Sequence, residues 1–351
     1  MIQNTIKISV CIPAYNRPEV LIPLLDSILT QKGADFEIVI CEDKSPKREQ
    51  IREVVSTYSQ NWPGMIQYYE NEQNLGYDGN IRNLIEKATG DYCFFMGNDD
   101  LMYPEALANV ANTIARHGNI GVVLRTYASF DESPEKINQT FRYFQNEIFF
   151  RGGADTITTF YRRSVVISGV VIHRKEALKY STNRFDGTLL YQLYLVANIL
   201  VSMNGVFTPQ ILALYRNGGT PDFGNSEAEK GRFTPKIQTP ESSLHFMRGM
   251  LEIVKWTEEN RNIKIYKRII TDIGNYCYPI LSIQAKQPFM VFVNYAFGFA
   301  AMGFWKNKFF YLYLVSLLVL GSDRVDRLIQ FVKRRMGHTP ALGNVYSGGP
   351  Q

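Results

Sequence analysis

Four short apolar runs separated by longer amphipathic segments fill the first hundred residues, and this alternation constrains the fold more than any other feature of the 351-residue chain. Residues 7–14 (KISVCIPA), 36–41 (FEIVIC), 65–69 and 91–96 (DYCFFM) read as buried strands. Residues 18–31, 46–58 and 78–88 read as helices, the first carrying Val20, Leu21, Leu24, Leu25, Ile28 and Leu29 at helical spacing behind Pro18. A β-α-β-α-β-α-β order predicts right-handed crossovers and an α/β fold. Its sheet is mostly parallel, is flanked by helices and binds ligands at the strands' carboxyl ends. Beyond it the pattern predicts a helix at 104–117, a strand at 121–127, an irregular stretch at 131–153, a strand at 165–173, helices at 175–180 and 188–202, and a strand or hairpin at 205–215. Residues 216–239, rich in Gly, Pro, Asn and Ser, have the length of a lid or substrate-binding loop, and 240–286 is helical in pattern.

Composition narrows the function. With 45% hydrophobic and 13% aromatic residues the chain has ample material for a large core, which excludes wholesale disorder. Its four cysteines (Cys11, Cys41, Cys93, Cys277) show no CxxC spacing, and the first three lie in strand-like runs, so buried thiols are expected rather than a disulfide scaffold or zinc ribbon. The turn after the first strand has no glycine, which argues against a dinucleotide-dependent enzyme. A nucleotidyltransferase would carry a basic Gly-rich phosphate loop near the N-terminus, and none is present. His117, His173, His245 and His338 have no paired metal spacing, and His173 reads as a core histidine. The net charge of +5 resides entirely between Lys306 and Met336, where seven basic residues face two acidic ones. Basic residues confined to the flanks of the most hydrophobic segment fit a membrane surface and not a nucleic acid.

Each early strand ends in polar residues suited to a phosphorylated ligand: Tyr15-Asn16-Arg17, Glu42-Asp43-Lys44-Ser45, Asn71 to Gly76, and Asn98-Asp99-Asp100. Two adjacent carboxylates leaving a buried strand need a positive partner, either a divalent cation shared with phosphates or, more simply, a helix to cap. Taken together, SVCIPAYNRP, EIVICEDKSP, NLGYDGNIRNLIEKATGDY and FFMGNDD, in this order, resemble the family-2 glycosyltransferases of the GT-A fold. GNDD resembles the abequosyltransferase-like branch that builds bacterial surface polysaccharides. The likeness covers roughly residues 6–215. It implies a nucleotide-sugar pocket lined by Ala14, Tyr15 and Arg17, with Asp43 on the base, Asn80 and Arg82 near base or phosphates, and Asn98 toward ribose or sugar. It also implies Mn²⁺ or Mg²⁺ on Asp99 or Asp100. Gly97 stands where the family's first acid would be. Cleaving a glycosyl–phosphate bond requires neutralisation of the leaving diphosphate and a base for the acceptor hydroxyl. The resemblance points to Asp186 for that base, although it reads equally well as a helix N-cap before Thr188. The family's acidic pair farther on is replaced by Tyr191-Gln192.

Residues 288–305 and 309–321 carry no charge, and seven of the first eighteen are aromatic, as in an interfacial belt. Residues 323–336 follow as a basic amphipathic helix, with Val325, Leu328, Ile329 and Val332 on one face and Arg324, Arg327, Lys333, Arg334 and Arg335 around it. The expected organisation is a transferase domain at 1–239, with a nucleotide-sugar half (1–127) and an acceptor half (128–239). A helical extension (240–287), membrane-associating helices (288–336) and a flexible tail (337–351) follow. The implied partners are a nucleotide-sugar donor, a saccharide acceptor on a polyprenyl diphosphate, and an anionic membrane. With no secretory signal at the N-terminus, the expected location is the cytoplasmic face of the inner membrane, peripheral or monotopic. The same helices could instead form a homo-oligomer interface. A non-catalytic nucleotide-sugar-binding assembly subunit is the competing reading, favoured by Gly97 and by the missing acidic pair.

Overall fold

The computed structural model describes residues 6–219, 222–336 and Leu342. Among these, ten strands form one sheet. They are β1 (Lys7–Ala14), β2 (Asp35–Glu42), β3 (Ile66–Glu70), β4 (Tyr92–Phe95), β5 (Leu101–Met102), β6 (Ile120–Phe130), β7 (Gln139–Phe141), β8 (Ile148–Phe150), β9 (Val171–His173) and β10 (Asn204–Arg216). The order along the sheet is β3-β2-β1-β4-β9-β6-β10-β5, with β7 on β6 and β8 on β10. Strands β1 to β4 are mutually parallel as expected, and so are β6 and β10. The sheet as a whole is mixed, because β9 inserts antiparallel between β4 and β6, and β5, β7 and β8 also pair antiparallel.

Period-two alternation sends the strand side chains into two cores. Ile8, Val10 and Ile12 pack under α1 (Pro18–Leu29), α2 (Arg48–Asn61) and α4 (Ala106–His117). Cys11, Val39 and Cys93 pack on the opposite face under α3 (Gly76–Lys87), with α5 (Ala154–Phe160), α6 (Arg174–Lys179), α7 (Tyr191–Ile199) and α8 (Pro240–Arg261). All four cysteines are buried and unbridged.

Two elements differ from the sequence pattern for identifiable reasons. Only Val171–His173 of the expected 165–173 strand is paired. The carbonyls of Arg163, in a 3-10 turn at Arg162–Ser164, and of Val166 and Ser168 instead accept from the guanidinium of fully buried Arg125 at 3.1, 2.6 and 2.9 Å, which holds 165–168 as a loop. Helix α7 begins at Tyr191 and not 188, because a carboxylate takes the N–H groups of 187–191. The stretch at 131–153 is irregular apart from β7 and β8.

The C-terminal part is helical: α9 (Tyr266–Asn275), α10 (Tyr278–Gln284), α11 (Phe289–Ala301), α12 (Lys308–Leu320) and α13 (Ser322–Met336). Val325 is buried, and Asp326 accepts from Tyr278 and, at 2.9 Å, from Ser282, which fixes α13 against α10. No helix of the described residues is long and apolar enough to cross a membrane. The tail expected at 337–351 lies, apart from Leu342, outside the described residues, as do the side chains of Lys333 and Arg334.

Candidate active site

The acidic turn after β4 is held from three sides. Ser168 Oγ accepts from Gly97 N–H at 2.9 Å and donates to Asp100 Oδ2, while the Arg216 N–H donates to Asp100 Oδ1 at 2.9 Å. Arg216 Nε also donates to the Asp99 carbonyl at 3.0 Å, and Arg17 donates to Asp99 Oδ2. Asp100 is 4% exposed, and burial, reinforced by the Asp99 charge, pushes its carboxyl up to about 7. Asp99 Oδ1 has no hydrogen-bond partner among the described residues. Gly97 has a packing reason: a Cβ there would lie 3.1 Å from Asp100 Oδ2 and 3.2 Å from Ser168 Oγ, so a third acid would crowd two carboxylates.

The neighbouring strand ends build a polar floor. Asp43 Oδ1 accepts from Asn71 Nδ2 at 2.7 Å and from Leu75 N–H at 2.8 Å. Asn71 also donates to Asn80 Oδ1 at 3.1 Å, and Asn80 donates to the Cys41 carbonyl at 3.0 Å. Burial raises Asp43 to about 6. Asn98 donates to the Tyr15 carbonyl at 3.3 Å, tying the acidic turn to the first-strand turn.

Segments that follow β9 in the chain are fastened to α3 by carboxylates. Asp78, 1% exposed, accepts five backbone N–H bonds: from Gly187, Thr188 and Leu189 on Oδ2 at 2.9, 3.0 and 2.8 Å, and from Leu190 and Tyr191 on Oδ1, both at 2.8 Å. Glu229, 3% exposed, accepts from Tyr77 N–H and Gly224 N–H, both at 2.8 Å, and so draws the loop around Gly224 over the start of α3. Gly76 allows this approach, since a Cβ there would stand 2.4 Å from Ser226 Oγ. Arg82 grips both oxygens of Asp186 at 2.7 and 2.8 Å.

These elements enclose a cavity of about 330 Å³. Of the residues singled out from sequence, Tyr15, Arg17, Asp43, Asn80, Asn98, Asp99 and Asp100 line it. Ala14, expected in the pocket, does not line it: it is buried at the end of β1, where its carbonyl accepts from Asp43 N–H at 3.0 Å. Arg82 and Asp186 do not line it and are engaged with each other. The loop adds Gly219, Asp222, Phe223 and Glu229, and the start of α7 adds Gln192. Asp78, Arg125, Ser168, Arg216 and Glu229 were not foreseen. Only Arg125, a charge inside the apolar run GVVLRTY, left a visible signal. Among the described residues no group of three or more His, Cys, Asp or Glu could hold a metal ion alone. Asp99 Oδ1 is the open oxygen, and Mg²⁺-like ions commonly take one or two carboxylates with substrate phosphates completing the set. The residues therefore fit a cation that arrives with a diphosphate.

Residues 9–180 match the family described as Glycosyl transferase family 2. The abequosyltransferase RfbV of Salmonella typhimurium is 38% identical over 101 residues, 29% of this chain and 30% of that protein. The amylovoran biosynthesis glycosyltransferase AmsB of Erwinia amylovora is 36% identical over 112 residues, 32% of this chain and 36% of its own. The chain thus matches about a third of the length of these relatives. Among solved structures, S. aureus TarS 1–349 in complex with UDP-GlcNAc superposes with a TM-score of 0.58 at 16% identity, covering 83% of this chain and 79% of that one, a likeness of fold.

Proposed function

From the match of residues 9–180 to Glycosyl transferase family 2 and the likeness of fold to a GT-A structure, we propose that the chain transfers a sugar from a nucleotide-sugar donor to a saccharide acceptor in bacterial surface-polysaccharide assembly. The observation that carries this reading is the convergence of Tyr15, Asp43, Asn98, Asp99 and Asp100 on one cavity at the carboxyl edge of the sheet. In this reading Tyr15 and Asp43 hold the base, Asn98 the ribose or sugar, and Arg17 the diphosphate once it leaves Asp99. Asp99, through Oδ1, would be the residue that holds Mn²⁺ or Mg²⁺. Asp100 is a support, with both oxygens committed to Ser168 and Arg216. The cation, when bound, neutralises charge on the leaving diphosphate.

The acceptor in this proposal is a saccharide on a polyprenyl diphosphate, met at the cytoplasmic face of a membrane. In support, α11 to α13 expose Phe289, Phe297, Leu312, Val319, Leu328 and Phe331, far more apolar surface than a solvated helical face carries. A donor-binding subunit without turnover is the second reading. What favours it is that Gln192 occupies the cavity wall while Asp186, the base the resemblance implies, lies outside it paired to Arg82.

The test is a panel of UDP-, GDP-, CDP- and dTDP-sugars with and without Mn²⁺, read as thermal stabilisation and as release of nucleoside diphosphate. Turnover that Asp99→Asn abolishes while the melting temperature holds supports the transferase. Stabilisation by a donor without release favours the subunit. If no nucleotide sugar stabilises the chain, both readings fail.

A further inference from the structure

A second cavity of about 1030 Å³ adjoins the first, and the two share Val165, Val166, Leu189, Tyr215, Phe223 and Phe246 as walls. It is larger than a sugar requires and has the wrong chemistry for one, since Met247, Met250, Ile273, Ile280 and several aromatic rings dominate its lining. Its far end reaches α13, where Leu328 and Val332 line the cavity while being 56% and 41% exposed. Arg162, Arg163 and Lys236 line it and no Asp or Glu does, Asp272 pairing with both arginines from behind the wall. An apolar passage with cationic residues in its wall, opening on an exposed apolar helix and adjoining the cavity that Asp99 and Asp100 line, suits a hydrocarbon chain that carries an anionic head.

We propose that this cavity takes up the first isoprenoid units and the diphosphate of the lipid-linked acceptor, so that the lipid stem enters the protein past Leu328 and presents its saccharide to the donor cavity. This rests on the donor reading of the smaller cavity. It adds that the enzyme grips the lipid itself, which distinguishes it from a protein that merely sits on the bilayer while recognising the sugar. Lys236, on the loop after β10, and the Arg162–Arg163 pair, positioned by Asp272 at 2.9 and 3.4 Å, would flank the diphosphate.

The full chain is titrated with farnesyl diphosphate, farnesol and inorganic pyrophosphate, without vesicles, by calorimetry, and separately with the stabilising nucleotide. Farnesyl diphosphate should bind at least tenfold more tightly than pyrophosphate or farnesol. Met250→Trp, which fills the passage, and Leu328→Asp, at the exposed mouth where folding is not at stake, should each weaken it tenfold or more and leave nucleotide affinity unchanged. Lys236→Ala should weaken farnesyl diphosphate and leave farnesol unaffected. Equal binding of farnesyl diphosphate and pyrophosphate, or insensitivity to both Met250→Trp and Leu328→Asp, overturns the proposal. Equal binding of farnesol and farnesyl diphosphate overturns the assignment of the head. Loss of nucleotide binding with farnesyl diphosphate binding retained would sink the donor reading alone.

Discussion

Asp78→Asn probes whether one carboxylate fastens the 187–191 segment to α3. Burial lifts the Asp78 carboxyl to about 7, while the N–H groups of Leu189 and Tyr191 pull it down. All five of its neighbours are donors, so the geometry is that of the ionised group. Asparagine is isosteric but has one acceptor oxygen. Placed with that oxygen toward Gly187, Thr188 and Leu189, it turns its NH₂ against the N–H groups of Leu190 and Tyr191. Two buried donors left unsatisfied cost ~1–3 kcal/mol each, so the loss is ~2–6 kcal/mol, a large part of the ~5–15 kcal/mol that holds a typical protein folded. The segment has no easy alternative conformation, since Leu189 already sits at φ 64°, where a branched side chain is disfavoured. Urea denaturation should show the midpoint falling at constant slope. Hydrogen exchange should localise the loosening to 187–192. A loss below ~0.5 kcal/mol, the range of an ordinary surface substitution, would refute the idea that these five bonds act on a charged group.

Two further outcomes follow from the site's electrostatics and its loop. Asp43 is raised by burial to about 6 from an ordinary 3.8, so its burial destabilises the free protein increasingly as pH rises from about 4 to about 6, by up to ~3 kcal/mol. Over the same window nucleotide affinity should rise, because a base N–H needs the carboxylate. Asp43→Asn should flatten both profiles, and a pH-independent affinity in the wild type would contradict the assignment. Glu229→Ala removes the acceptor of two part-buried N–H groups, each costing less than the ~1–3 kcal/mol of a fully buried unsatisfied donor. It should make 216–239 sensitive to limited proteolysis and weaken nucleotide binding, since that loop supplies Gly219, Asp222 and Phe223 to the cavity.

The sequence by itself determined the first four strands, the helices between them, and the carboxyl-edge positions of Tyr15, Asp43, Asn98 and Asp99. All of these follow from local periodicity and from chain direction in a βαβ unit. It also marked the apolar C-terminal helices. What it left open were the contacts between segments distant in the chain. Whether Asp99 or Asp100 keeps a free oxygen depends on Ser168 and Arg216, which reach the turn from 68 and 116 residues away. That 165–168 is a loop depends on a buried guanidinium in β6 outcompeting a strand ladder for the carbonyls of Val166 and Ser168. Asp186, which its local segment presents as a base or a helix N-cap, is bound by Arg82 across 104 residues. Local pattern reports burial and period, but the partner of a buried charge is chosen by tertiary packing, because burying that charge unpaired would cost more than either local preference can supply.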